Sequence, residues 1–124
     1  MHTQTISLEW RRFDRFIAAR NAHRDVSCIY VQADREGRAI RVGKASKGLE
    51  ARYRGGTGYA LDAALHGSGN LWFAARVSAD AVTAAEASLI WKHREQLAYN
   101  NMGKRHAPSN MVDLQHGGTP PGFG

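Results

Sequence analysis

The sequence predicts a small α+β fold, a three-stranded antiparallel sheet flanked by helices. Two β-prone runs, Cys28-Ile29-Tyr30-Val31-Gln32 and Ala39-Ile40-Arg41-Val42, are separated by the polar turn Asp34-Arg35-Glu36-Gly37, as in a hairpin. A third run, Leu71-Trp72-Phe73-Ala74-Ala75-Arg76-Val77, leads directly into a helical pattern from about Asp80 to Leu97. Strands grouped this way, without regular strand–helix alternation, imply one sheet covered by helices.

In chain order, residues 7–23 read as a helix: Ser7 can cap it, and Trp10, Phe13, Phe16 and Ile17 make an apolar stripe between Arg11, Arg12 and Arg15. The hairpin follows. Residues 46–54 are charged and helix-compatible, although Gly48 weakens them, and Gly55-Gly56-Thr57-Gly58 breaks the pattern. A short helix over 60–65 and a turn over 66–70 then precede the third strand. Ser78 stands where a cap for the last helix is needed. From Met102 the chain thins to Gly, Pro, Asn and His, so an irregular tail is expected over 102–124.

At 124 residues the chain is of single-domain size, and with 43% hydrophobic residues it can bury a modest core. Its net charge of +6 favours a polyanionic partner. Residues 28–60 hold Arg35, Arg38, Arg41, Lys44, Lys47, Arg52 and Arg54 against Asp34, Glu36 and Glu50, so the positive excess is local. The single Cys28 forms no internal disulfide, and no stretch reaches transmembrane length; a cytoplasmic protein without membrane association is expected.

Glu86 is the most informative single residue. It lies one turn from both Val82 and Ile90, on the side of the helix that Leu89 and Leu97 mark as apolar. A carboxylate turned towards a core needs compensation by an arginine, a cation or water at a cleft. His93 shares that face, where a hydrogen-bonded core histidine is the commoner role.

Cys28-Ile29-Tyr30, Arg41-Val42-Gly43-Lys44-Ala45, Leu49-Glu50-Ala51-Arg52, Glu86 and Tyr99-Asn100 together resemble the motifs of the GIY-YIG nuclease family, in order and approximate spacing. The resemblance spans roughly residues 27–101. It implies an N-terminal helical extension over 1–27, a GIY-YIG-like catalytic domain over 28–101 and an irregular tail over 102–124. Cys28 replaces the first glycine of the pattern and Arg41 the tyrosine of its second motif, Gly48 adds one residue before Arg52, and Gly56 stands where an aromatic or histidine belongs.

By that resemblance, the protein is a metal-dependent endonuclease acting on nucleic acid, DNA before RNA. Glu86 would hold one divalent cation, Mg2+ or Mn2+, with water completing its shell. Arg52 would contact the scissile phosphate and stabilise transition-state charge. Tyr30 would orient or deprotonate the attacking water, with its hydroxyl made more acidic by Arg41 and Lys44. Arg41, Lys44, Tyr53, Tyr59 and His66 are candidate phosphate or substrate contacts, while Gly43 and Asn100 would shape the site. Domains of this kind commonly need either a homodimer or a separate targeting partner.

Two other classes remain open at this stage. The basic segment and Arg41 suit a non-catalytic nucleic-acid-binding module, and Trp10, Trp72 and Trp91 suit an interaction domain. Gly43-Lys44-Ala45 lacks the glycine placement and the hydroxyl of a phosphate-binding loop. The six histidines show no paired spacing for zinc.

Overall fold

The computed structural model describes residues 4–34, 36–49, 71–97, 100, 104 and 106–123. Their elements, in chain order, are β1 (Thr5–Phe13), α1 (Phe16–Ala22), β2 (Cys28–Ala33), β3 (Ala39–Ala45), β4 (Leu71–Arg76), α2 (Val82–Lys92) and β5 (Asp113–Gly118). The class is α+β, but the sheet has five strands in the order β3-β2-β4-β1-β5. Neighbours among β3, β2, β4 and β1 are antiparallel, and β5 adds to β1 in parallel.

The expected hairpin forms. Tyr30 pairs with Gly43 and Val31 with Val42, and the register shifts between Gln32 and Ala33. Asp34 builds the turn: its Oδ1 accepts the backbone N–H of Glu36 and of Arg38, each at 3.0 Å, and Gly37 supplies a φ of 83°. The third expected strand is β4, which pairs with β2 from Cys28↔Arg76 to Ala33↔Leu71.

The N-terminal expectation needs correction. Residues 5–13 are a strand, and the helix is confined to Phe16–Ala22. Ile6, Leu8 and Trp10 alternate buried with exposed neighbours, which is the period of a strand with one face inward. Trp10 and Phe13 therefore do not share a stripe: they belong to the cores on opposite faces of the sheet, and Ile17 is exposed. The irregular tail is corrected as well, because β5 extends the sheet, Thr5↔Asp113 to Trp10↔Gly118. Its side chains are mostly exposed; backbone pairing and two bonds from α2 place it. Lys92 Nζ donates to the carbonyl of Val112 at 3.1 Å, and the Val112 N–H donates to Ser88 Oγ at 3.0 Å. Both flanks of the expected 28–101 unit thus contribute strands to its sheet.

Two cores result. On one face Ile29, Val31, Val42, Phe73 and Ala75 pack under Val82, Ala85 and Leu89 of α2. On the other, Phe13, Cys28, Tyr30, Trp72 and Ala74 gather with Ala19 of α1 and Leu49. The helix α2 starts at Val82; the carbonyl of Ser78, not its side chain, accepts the N–H groups of Ala81 and Val82 at 3.0 Å each. No helix among the described residues is long and apolar enough to cross a membrane.

Candidate functional site at the edge of β3

The period of two along β2 sends Cys28, Tyr30 and Gln32 to the α1 face and Ile29, Val31 and Ala33 to the α2 face. Tyr30 is fully buried. Its ring lies over Gly43 on the edge strand β3: a β-carbon at 43 would overlap the phenol, its hydroxyl included. The glycine therefore leaves the phenol room across β3, the outermost strand on that side of the described sheet, where its hydroxyl is buried. Trp72 backs Tyr30 at 6.1 Å between ring centroids.

Gln32, which belongs to none of the sequence motifs, is also fully buried and pairs across the sheet with Arg41 on one side and Trp72 on the other. Its signal was the strand period itself, since residue 32 follows Tyr30 on the same face. Arg41 lies two residues before Gly43 on β3 and is half-buried, so Tyr30, Gln32 and Arg41 share one face.

Lys44 does not join them. It takes the α2 face, where its Nζ donates to Thr83 Oγ1 at 2.9 Å. The expectation that Lys44 would act beside Arg41 on the Tyr30 hydroxyl is thus corrected by strand alternation. Glu86 is half-buried and follows Thr83 by three residues on α2, so the two side chains are neighbours along the helix surface. The helix that carries Glu86 covers the face opposite to Tyr30. A single ligand touching both would straddle the β3 edge at Gly43.

Asn100 fixes that edge. Its Oδ1 accepts the Val42 N–H at 2.8 Å, and its Nδ2 donates to the Val42 carbonyl at 2.9 Å, so one amide satisfies both outward backbone groups of the residue before Gly43. Gln96 adds a bond to the Ala39 carbonyl at 2.9 Å and one to the Gly122 carbonyl at 2.7 Å.

The expected contacts Arg52, Tyr53, Tyr59 and His66 lie outside the described residues. Among those described, no group of three or more His, Cys, Asp or Glu side chains converges as a metal cluster. Among the described residues a cation at Glu86 would find one carboxylate and would draw its remaining ligands from water and substrate. That donor set is chemically acceptable for Mg2+ or Mn2+ and unsuited to a closed zinc centre. Cys28 is buried, and that burial pushes its thiol up to about 12, away from the thiolate form.

His93 stacks on Phe123, 4.5 Å between centroids, and its imidazole is held below the ordinary value by burial, then by His116 and Lys92. His116 in turn accepts the Trp10 indole N–H on Nδ1 at 2.9 Å. These rings form an aromatic seam linking β1, α2, β5 and the tail, separate from Tyr30. Comparison with family models, with curated proteins and with solved structures gives no match to this chain.

Proposed function

We propose that the protein is a metal-assisted hydrolase of nucleic-acid phosphodiester bonds, DNA before RNA, working at the β3 edge. The observation that carries this reading is the pairing of Tyr30 with Gly43: the glycine gives the phenol room against β3, the strand that α2, bearing Glu86, covers from the opposite layer. Tyr30 orients the attacking water through its hydroxyl. Arg41, on the same face, attracts the substrate phosphate, and Asn100 keeps β3 in register by holding Val42. Glu86 holds the cation; when bound, a divalent cation neutralises charge developing on the phosphate oxygens. Arg52 is assigned the scissile phosphate by its place in the resembling motif.

Supercoiled plasmid, single-stranded DNA and RNA, each incubated with Mg2+, Mn2+ or EDTA, test this reading beside Glu86→Ala and Tyr30→Phe. Cutting that needs metal and disappears in Glu86→Ala supports it. Cutting by Glu86→Ala at the wild-type rate under saturating metal refutes the site.

A second reading rests on Arg41, which stands where the resembling family has a tyrosine. A binding module without hydrolysis would show salt-sensitive nucleic-acid binding, unaffected by EDTA, with no cleavage of any substrate.

A further inference from the structure

Several arginines of β1, α1 and β4 are not spent on ion pairs among the described residues. Arg11, Arg15, Arg20 and Arg76 have no carboxylate partner among the described residues, whereas Arg12 is paired with Asp14 at 3.3 Å. On the α2 side the cations are engaged: Lys44 with Thr83, Lys92 with the Val112 carbonyl, and Arg94 with the Trp91 carbonyl and ring, 3.8 Å from its centroid.

Two ring contacts and one strand pairing place Arg11 and Arg76 together. Arg11 lies 5.1 Å over the Phe13 ring, and Phe13 meets His23 edge-on at 5.8 Å, at the end of α1. Arg76 follows Ala74 by two on β4, and Ala74 pairs with Arg11, so both cations project from the Phe13 face of adjacent strands. Their positive charge helps hold His23 below its ordinary value, after burial. Glu9, the nearest acid along β1, lies over Gly117, where a β-carbon would come within 2.9 Å of its Cδ; its carboxylate inclines towards β5. This is also the sheet face that carries Tyr30 and Arg41.

We propose that Arg11 and Arg76 form the centre of a docking surface for the phosphate backbone of a nucleic acid, on the sheet face that also carries Tyr30 and Arg41. The proposal rests on the reading of the substrate as nucleic acid. It assigns to β1 and β4 the work of holding the polyanion, while Tyr30 and Glu86 keep the chemistry.

Fluorescence anisotropy of a short labelled duplex, titrated in EDTA over a range of salt, separates holding from cutting. The double variant Arg11→Glu/Arg76→Glu should bind at least ~10-fold more weakly, and its log K against log salt should be shallower by about 2, one for each lost phosphate contact. Arg11→Gln/Arg76→Gln, gentler on folding, should move in the same direction, and Lys92→Gln should bind as wild type. Wild-type affinity and slope in both double variants, with native circular dichroism, would overturn this surface while leaving the hydrolase reading to the plasmid assay. A wild-type protein that binds no duplex, single strand or RNA would overturn both.

Discussion

Tyr30 and Gly43 face each other across the β2–β3 hairpin, and the phenol ring fills the space where a side chain at 43 would stand. Gly43→Ala should therefore destabilise the fold by about 1–3 kcal/mol, the usual cost of forcing atoms into a packed core. In a Tyr30→Ala background the same change should cost far less, because the obstructing ring is gone. Urea midpoints of the four proteins measure the coupling; additive effects would refute the overlap.

Asn100 supplies the Val42 backbone with both a donor and an acceptor. Asn100→Ala should lower stability by about 1–3 kcal/mol and expose the Val42 amide to exchange. Asn100→Asp should not recover the loss, since its carboxylate replaces the donor to the Val42 carbonyl with a repelling oxygen. Amide hydrogen exchange reads this at one residue, and unchanged protection of Val42 would rule out the clamp.

Three imidazoles, His23, His93 and His116, are held below the ordinary value of 6.5, each chiefly by burial. The unfolded chain thus binds protons more readily than the folded one. The stability these groups contribute is complete above about pH 6.5 and is lost as pH falls through their lower folded values. Protonation of His116 at Nδ1 also removes the acceptor for the Trp10 indole N–H. The melting temperature should fall on going from neutral to mildly acidic pH, with the Trp10 indole proton exchanging faster over the same interval. A melting temperature that rises on acidification would contradict the linkage.

Ser27 carries a buried hydroxyl with no hydrogen-bond partner among the described residues. Ser27→Ala removes a desolvated polar group and little volume, so stability should stay level or rise by up to about 1 kcal/mol. A loss of more than that in urea unfolding would mean that the hydroxyl is satisfied.

The hairpin was readable because its signals agree. The strand runs are β-prone, and the turn has an aspartate whose side chain closes it and a glycine at positive φ. β1 was misread because Trp10, Phe13, Phe16 and Ile17 fit a helix by spacing, while the alternation of Ile6, Leu8 and Trp10 spoke for a strand. The true helix starts only at Phe16. β5 had no such signal: Asp113-Leu114-Gln115-His116-Gly117-Gly118 is polar and glycine-rich, and it becomes a strand through partners distant in sequence. At the site, Tyr30, Gly43 and Asn100 were legible as positions. The separation of Lys44 from Tyr30 followed from a strand period that the motif alone does not state, and Gln32 was missed for the same reason.

The parallel pairing of β1 with β5 has a consequence for biosynthesis. Trp10 meets His116 across 106 residues of chain, and β1 reaches its other neighbour, β4, only after the hairpin has been made. On the ribosome, Ile6, Leu8 and Trp10 therefore emerge with no sheet to join and wait until β4 has been made. Long-range closure of this kind folds slowly and leaves apolar strand exposed meanwhile. The nascent chain should consequently need holdase protection at β1 until β4 has emerged, and truncations that stop before β4 should aggregate through β1.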